Sequence, residues 1–215
     1  VITPDYTIRT KNWPLVLDPP VAGEPAAFRQ RARAAAAAFV ARYRDYFARN
    51  NARAGGGKRM LDPLPRVVLV PGLGLFGIGR SKKDAIIAAD LAEASVEVIA
   101  DAEAIGRFQS ISDADMFDME YWPPEQDKLG SAAEPPLAGQ VAVVTGAGGA
   151  IGAATAQAFA RAGAEVALLD VDAGAAAARA RAVGAAALPV KCDVTDAGSV
   201  RAAFDNVVEA FGCVD

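Results

Sequence analysis

Short apolar runs alternate with helical patterns over the last third of the chain. The runs cover 141–144, 166–169 and 187–192, and they have the length and composition of buried strands. Apolar residues recur at helical spacing over 151–161 and 199–211. This alternation predicts an α/β fold, half of a doubly wound parallel sheet with right-handed crossovers. The residues expected to face the sheet are Ile151, Ala158, Phe159 and Ala162 in the first helix, and Val200, Ala203, Phe204, Val207, Val208 and Phe211 in the second.

A glycine-rich turn joins the first of these strands to the first helix. A pyrophosphate must approach backbone N–H groups closely, and the first turn of a helix supplies unpaired N–H donors and the positive end of the helix dipole. Glycine and alanine keep side chains out of the way. The pattern therefore predicts a Rossmann-type dinucleotide-binding unit. Its candidate cofactor residues in the turn are Gly146, Gly148, Gly149, Ala150, Ile151 and Gly152.

Asp170 ends the second apolar run, eighteen residues after Gly152. A carboxylate at the carboxyl end of the second strand can accept hydrogen bonds from the hydroxyls of the adenosine ribose, and it repels a 2′-phosphate. No Arg or Lys lies between Val171 and Ala178, and Arg179 is the first basic residue after the strand. We therefore expect NAD rather than NADP. The alternative for Asp170 is an ordinary acid at a strand end.

Three motifs of this region occur in a fixed order. They are Thr145-Gly146-(x)3-Ala150-Ile151-Gly152, the acid Asp170, and Cys192-Asp193-Val194-Thr195. Together they resemble the short-chain dehydrogenase/reductase family, whose usual pattern has glycine where this chain has Ala150. The resemblance implies that Asp193 binds the adenine amino group, that Val194 lines the adenine pocket and that the Ile151 N–H contacts the pyrophosphate. Val171 completes the predicted cofactor set, and the alternative for Asp193 is an acid at a helix N-terminus.

The same resemblance implies hydride transfer between NAD and a small alcohol or aldehyde. In the family a catalytic Ser and a Tyr-x-x-x-Lys follow the fourth strand, and the Tyr acts as the acid/base group. None of these is present up to Asp215, so we predict no catalytic residue within the chain and expect these residues farther along a parent protein. Because the first residue is Val1 rather than Met, we expect the amino end to be cut as well.

The first 130 residues follow a different pattern. We predict a strand over 6–10, a long helix over 25–50 that ends before three glycines, a strand over 66–70 and a helix over 85–99. The strand at 66–70 leads into Gly72-x-Gly74-x-x-Gly77. Bulky Leu75 and Phe76 argue against a second dinucleotide site, so we interpret this motif as a tight strand-to-helix turn. An acidic helix, rather than a metal site, is predicted from Asp113, Asp115, Asp118 and Glu120.

A second resemblance covers residues 66–130. The segments 70–76, 104–108 and 117–122, which read VPGLGLF, AIGRF and FDMEYW, are similar to the carboxyl portion of bifunctional rhamnulose-1-phosphate aldolase/short-chain dehydrogenases. The implied order is the α/β carboxyl portion of a class II aldolase-like domain at 1–130, a linker at 131–136, and the amino-terminal half of an NAD-binding dehydrogenase domain at 137–215. Paired prolines among small residues favour the linker.

The aldolase resemblance implies a lyase that uses histidine-bound zinc, with lactaldehyde as the substrate of the dehydrogenase. The chain has no histidine, so it supplies no such zinc ligands, and Tyr6 stands where we would expect a histidine. Arg9 and Lys11 are candidates to contact a substrate phosphate, and the alternative is a solvated strand face. The alternative function is a class II aldolase whose NAD-binding domain is non-catalytic or regulatory. A further alternative is a non-catalytic module that binds NAD for assembly.

Composition narrows the possible partners. The 215 residues are 53% hydrophobic, and a net charge of -4 with a pI near 5.0 argues against a nucleic-acid partner. No apolar run is long enough to span a bilayer, and no signal-peptide pattern opens the chain. Two cysteines are too few for a disulfide framework. We therefore expect a cytoplasmic enzyme with a small-molecule substrate, which forms a homo-oligomer in the full-length protein.

Overall fold

A computed structural model describes residues 3–129 and 135–215. The chain divides into two compact units. The first unit comprises Val1–Gly79 and Asp84–Ala132, and the second comprises Arg80–Lys83 and Ala133–Asp215. The predicted linker at 131–136 falls mostly outside the described residues, because 130–134 are not among them.

The second unit is built on a three-stranded parallel sheet, which confirms the predicted fold class. Its strands are β4 (Val141–Thr145), β5 (Glu165–Asp170) and β6 (Ala187–Lys191), and they lie in the order β4-β5-β6. Helix α6 (Ala150–Arg161) connects β4 to β5, helix α7 (Ala173–Val183) connects β5 to β6, and helix α8 (Ala197–Phe211) follows β6. The register pairs Thr145 with Leu169 and Asp170 with Lys191, so the carboxyl ends of the strands meet at one edge.

After α8 the chain returns to the far side of β4. The Asp215 N–H donates to the Val141 carbonyl at 3.1 Å, and the Asp215 carboxylate accepts from the Val141 N–H at 2.8 Å. β4 therefore has β5 on one edge and residue 215 on the other. In open α/β sheets, ligands bind in the crevice beyond the carboxyl ends of the strands.

Helices cover both faces of this sheet. Along β5, Val166 and Leu168 pack with Ala156 of α6 and Ala180 of α7, whereas Ala167 and Leu169 pack with Ala203 and Val207 of α8. Alternate side chains of a strand point to opposite faces, so β5 is buried on both sides, as a central parallel strand requires.

The predicted sheet-facing residues of α6 are wrong. Ile151 is 86% exposed and Phe159 37%, whereas Ala153 and Ala156 are buried. Alanine faces allow a helix to approach a sheet closely, so the buried side of α6 is its small-residue side. In α8 the prediction holds for Ala203 and Val207, which are buried, but Phe204 and Val208 are exposed.

The first unit combines a small mixed sheet with several helices. Strands β1 (Leu15–Val16) and β2 (Val67–Val70) are parallel, and β3 (Gly74–Gly77) is antiparallel to β2. The helices are α1 (Pro4–Thr10), α2 (Pro25–Arg53), α3 (Lys82–Ile105), α4 (Asp113–Glu120) and α5 (Pro123–Asp127), of which α3 begins at residues grouped with the second unit. An aromatic core joins α2 to α4 through Phe39, Tyr43, Tyr46, Phe117 and Tyr121.

The strand predicted over 6–10 is wrong, because these residues belong to α1. Pro4 lies at the first helical position, where its fixed φ suits a helix and its missing N–H costs nothing. The hydroxyls of Thr7 and Thr10 donate to the carbonyls of Pro4 and Tyr6 at 2.7 and 2.8 Å. These bonds satisfy the hydroxyl groups of both threonines within the helix, although threonine usually favours a strand.

The predicted strand-to-helix turn at 71–79 is also wrong. The chain instead makes a tight hairpin, in which β3 pairs back onto β2 with Val70 opposite Gly74. A Cβ atom on Gly77 would lie 2.1 Å from the Ala85 carbonyl oxygen, and one on Gly79 would lie 2.3 Å from the Ala85 nitrogen. These two glycines therefore permit close packing of the hairpin against α3.

Candidate functional site

The glycine-rich turn after β4 is held by its own backbone. Gly146 has a φ of 63°, in the left-handed region that favours glycine. The Ala147 N–H donates to the Leu169 carbonyl of β5 at 3.1 Å, and the Gly149 N–H donates to the Gly146 carbonyl at 3.1 Å. A Cβ on Gly152 would lie only 2.3 Å from the Gly146 carbonyl oxygen. Gly152 therefore lets α6 begin directly against the turn.

Helix α6 begins at the carboxyl edge of the sheet. Gly149 is its N-cap residue and Ala150 its first residue, so neither adds more than a methyl group to the surface. In such a first turn the N–H groups lack intrahelical acceptors, and the helix dipole favours negative charge. The Ile151 side chain is exposed to solvent there.

Asp170 is tied to this turn. Its Oδ2 accepts a hydrogen bond from the Gly148 N–H at 2.8 Å, and its Oδ1 accepts from the Asp172 N–H at 2.9 Å. These backbone donors, the Asp172 N–H first and then the Gly148 N–H, lower the pKa of the Asp170 carboxyl. The carboxylate is thus ionised at neutral pH. Each oxygen keeps a further lone pair for a ligand hydroxyl.

Helix α7 approaches the other side of Gly148. A Cβ on Gly148 would lie 2.8 Å from the Ala175 Cβ and 2.9 Å from Asp170 Oδ2. One helical turn after Ala175, the Arg179 Nε donates to the Gly148 carbonyl at 3.2 Å. The Gly148 N–H therefore donates to Asp170, and the Gly148 carbonyl accepts from Arg179. Sequence reasoning missed this contact, although the i, i+4 spacing of positions 175 and 179 places both on one helix face.

The segment after β6 reaches the same edge of the sheet. Asp193 Oδ1 accepts from the Thr195 hydroxyl at 2.7 Å and from the Thr195 N–H at 2.9 Å, and the hydroxyl above all lowers the pKa of the Asp193 carboxyl. The N-cap of α8 is Asp196, whose carboxylate accepts from the Gly198 N–H. The interpretation of Asp193 as a helix N-terminal acid is therefore wrong.

Two valines mark an apolar surface beside these acids. Val171 follows β5 and Val194 follows β6, and each is 62% exposed. Exposed apolar side chains at the ends of neighbouring parallel strands suit the flat face of a base. The bare helix start, the ionised Asp170 and this apolar surface match the three chemical parts of an adenine dinucleotide: pyrophosphate, ribose and base. The residues present therefore fit such a cofactor.

A second polar cluster lies inside the first unit. The Lys11 ammonium is 3.7 Å from Glu120 Oε1, and both side chains are buried. The Tyr43 hydroxyl donates to Glu120 Oε1 at 2.7 Å and the Tyr46 hydroxyl donates to Oε2 at 3.2 Å. The Lys11 ammonium also lies 4.1 Å from the centre of the Tyr43 ring. We call Lys11, Tyr43, Tyr46, Glu120 and Tyr121 the buried cluster.

Burial dominates the electrostatics of the buried cluster. It lowers the pKa of Lys11 to about 8 and raises the pKa of Glu120, in each case against the attraction between the two groups. The prediction of a solvated strand face is wrong for Lys11, because this residue ends α1 and turns inward. Arg9, in the same helix, is half-buried. The predicted acidic helix is confirmed as α4, but Glu120 is its buried member.

Within residues 3–129 and 135–215, no group of three or more His, Cys, Asp or Glu side chains is placed to hold a metal ion. The zinc of the aldolase resemblance therefore has no fitting ligand set among these residues. Over the same residues, no helix is long and apolar enough to cross a membrane.

Comparison with known proteins identifies both parts of the chain. Residues 1–129 match the family described as aldolase class II, second domain, which is more than half of the chain. The chain belongs to this aldolase family. Residues 140–215 match the short chain dehydrogenase family, so an aldolase class II segment is fused to a short-chain dehydrogenase segment.

One relative matches almost the whole chain. It is an uncharacterized oxidoreductase of Bacillus subtilis, YuxG, which is 31% identical over 99% of this chain and 31% of its own length. The D-threitol dehydrogenase of Mycolicibacterium smegmatis is 48% identical over 37% of this chain and 32% of its own length. The chain thus spans about a third of the length of these curated relatives.

A solved structure is similar to the dehydrogenase segment. It is the 3-ketoacyl-(acyl-carrier-protein) reductase from Brucella melitensis complexed with NADH, which is 40% identical over 36% of this chain and 32% of that chain, with a TM-score of 0.35.

Proposed function

We propose that residues 137–215 form the adenosine side of an NAD site in an oxidoreductase. The observation that carries this proposal is the contact between Asp170 and Gly148, because it joins the acid after β5 to the glycine-rich turn after β4. An ordinary strand-end acid has no need to bind that turn.

Each part of the site has one role in this proposal. The N–H groups at Ala150 and Ile151 bind the pyrophosphate, and Gly146, Gly148, Gly149 and Gly152 allow it to approach. Asp170 accepts the ribose hydroxyls. Asp193 binds the adenine amino group, while Val171 and Val194 cover the base. When bound, the nicotinamide supplies hydride transfer.

The substrate in this proposal is a small alcohol or aldehyde, with lactaldehyde as one member of the class. D-threitol dehydrogenase and the galactitol 2-dehydrogenase of Agrobacterium fabrum, which are similar to the dehydrogenase segment, are named for alcohols. The acid/base group comes from elsewhere in the whole protein. We place the aldolase-like domain at 1–130, the linker at 131–136, and the enzyme in the cytoplasm as a homo-oligomer.

Calorimetric titration of the whole protein with NAD and with NADP tests this function. Asp170→Ala should weaken NAD binding about tenfold or more and NADP binding less, because it removes both the ribose acceptor and the repulsion of a 2′-phosphate. Asp205→Ala, an exposed acid of α8, is the matched control. An equal loss of affinity for both cofactors would overturn the ribose assignment.

The match of residues 1–129 to the aldolase family favours a second candidate. In it the whole protein is a class II aldolase, and the NAD-binding domain is non-catalytic or regulatory. Incubating the whole protein with small alcohols or aldehydes and NAD, and separately with ketose phosphates, distinguishes the two. Formation of NADH supports the oxidoreductase, whereas cleavage of the sugar phosphate without any NADH formation supports the lyase alone.

A further inference from the structure

The second half of helix α3 carries an exposed apolar seam. The first half packs on the hairpin of β2 and β3, where Ala88 and Ala92 are buried. Farther along, Val98 is 44% exposed and Ile105 is 92% exposed. These two belong to a stripe with the spacing that one helix of a coiled coil presents to another. We call the stripe the α3 seam, and its members are Leu91, Ala94, Val98, Ala102 and Ile105.

Acidic residues flank the α3 seam. Asp90 and Glu97 come directly before Leu91 and Val98, and both are exposed. Charges at this position beside a coiled-coil seam select the partner helix. The chain has six acidic residues and no basic residue between 84 and 105. A second α3 would therefore be repelled, and the complement of this seam is a helix with basic flanks.

The first half of α2 has this complementary pattern. The elements that pack most on α2 are α4 and β1, and they do so through its second half, from Phe39 onward. The same stripe continues toward the amino end of the helix through half-buried residues, which are Phe28, Ala32 and Ala35, the α2 seam. Arg29 and Arg31 lie on either side of it and are exposed. No acidic residue occurs between 25 and 44, so two copies of this seam would also repel each other.

We propose that this protein self-associates by packing the α2 seam of one copy along the α3 seam of a second copy. Within one chain the aromatic core fixes α2 and the hairpin fixes α3, and both seams stay open to a partner. A two-fold axis would form the contact twice, with α2 of each copy on α3 of the other. This inference rests on the proposed function only for the homo-oligomer, and it requires no bound dinucleotide.

Sedimentation equilibrium of the whole protein tests the charge complementarity. The variant with Asp90→Arg and Glu97→Arg and the variant with Arg29→Glu and Arg31→Glu should each self-associate about tenfold or more weakly, because each places like charges opposite one another. Glu93→Arg and Arg33→Glu are the controls. These are exposed charges on the sides of the same helices that face away from the seams, and they should leave self-association unchanged.

Mixing the two charge-reversed variants is the decisive step. In the mixture the original α2 meets the original α3, and the reversed α2 meets the reversed α3, so both contacts of a two-fold dimer are again attractive. The mixture should therefore associate about as tightly as the unmodified protein, although each variant alone does not. A change in overall net charge alone could not produce this recovery.

Two valines of α3 give a second test that does not reverse any charge. Val98→Asp places a carboxylate in the α3 seam and should weaken self-association about tenfold or more. Val96→Asp is the matched control, because Val96 is also exposed but lies on the other side of the helix. Denaturant unfolding should show similar stability for the two variants.

The inference is overturned if the unmodified protein is a monomer, or if neither charge-reversed variant loses self-association. It is also overturned if their mixture associates no better than each variant alone, or if Val98→Asp lowers stability without changing the mass, as expected when another part of the whole protein covers the α3 seam. NAD titration of the same variants should give unchanged affinity. Failure of the NAD site therefore remains distinguishable from failure of this interface.

Discussion

Asp170 Oδ2 lies 2.8 Å from the nitrogen of Gly148, so the carboxylate after one strand is bound to the turn after its neighbour. This bond fixes the carboxylate before any ligand arrives. Because each oxygen already has a backbone donor, the side chain has little freedom left to lose when a ribose binds.

Gly148→Ala tests the importance of this arrangement. The new methyl group would lie 2.9 Å from Asp170 Oδ2 and 2.8 Å from the Ala175 Cβ, so the carboxylate and α7 must both move. We expect NAD affinity of the whole protein to fall about tenfold or more, measured by calorimetric titration. Gly106→Ala is the control, since the nearest atom to its Cβ would be 3.9 Å away. Unchanged affinity in Gly148→Ala would show that the turn does not depend on this contact.

Asp193 and Asp196 should separate binding from folding. Asp196→Ala removes the N-cap of α8 and should destabilise the second unit by about 1 kcal/mol, measured by denaturant unfolding. Asp193→Ala leaves that cap in place and should instead weaken NAD binding. The assignment of Asp193 to the adenine would be wrong if its removal changed stability while NAD affinity stayed the same.

Glu120→Gln should destabilise the first unit by about 3–5 kcal/mol, because it leaves the buried Lys11 charge without its partner. Adding Lys11→Met should recover most of this loss, as both charges are then absent. Denaturant unfolding measures the two effects. The control is Asp118→Asn, which breaks the exposed pair with Arg53 and should cost less than about 1 kcal/mol. Additive losses in the double variant would mean that the two groups are not coupled.

The pKa of Lys11 predicts a rise in stability in mild alkali. With a folded pKa of about 8 and an unfolded value of 10.5, the unfolded chain binds more protons between these limits. The free energy of unfolding should therefore increase from pH 8 upward, by about 3 kcal/mol over the whole interval. Lys11→Met should remove this increase, as followed by denaturant unfolding at several pH values.

Other groups of the buried cluster limit that pH window. The pKa of Glu120 is raised above its unfolded value of 4.5. The free energy of unfolding therefore decreases as pH rises above 4.5, and this decrease ends once the folded carboxyl has ionised. Tyr43, Tyr46 and Tyr121 have pKa values raised above 10.0, so they lower stability only beyond pH 10. Arg66 and Asp62 also act on Lys11, with opposite signs. A flat profile from pH 8 to 10 would contradict the Lys11 assignment.

Local sequence patterns were sufficient to predict the strands and the glycine-rich turn of the second unit. Each strand there is a short apolar run, and the glycine-rich turn and Asp170 lie at the strand ends where the pattern places them. The helix faces were harder, because an alanine-rich helix has no strong apolar stripe. Ala153 and Ala156 are buried where the larger Ile151 and Phe159 are not.

Long-range packing and local side-chain bonds explain why predictions from the sequence were wrong in the first unit. Lys11 reads as a surface residue until α4 brings Glu120 to it. The segment 6–10 reads as a strand because it contains threonine and isoleucine, and only the bonds of Thr7 and Thr10 to the backbone show how a helix accommodates them. The bond from Arg179 to the Gly148 carbonyl likewise depends on the path of α7, which the sequence spacing does not reveal.

The buried cluster also constrains how this chain can vary among its relatives. Neither Lys11 nor Glu120 can be replaced singly without stranding a charge away from water. Positions 11 and 120 should therefore change as a pair, so that a homologue with an apolar residue at the first also lacks the acid at the second. Such paired substitution would be readable from an alignment alone, as a long-range correlation between the end of α1 and the end of α4.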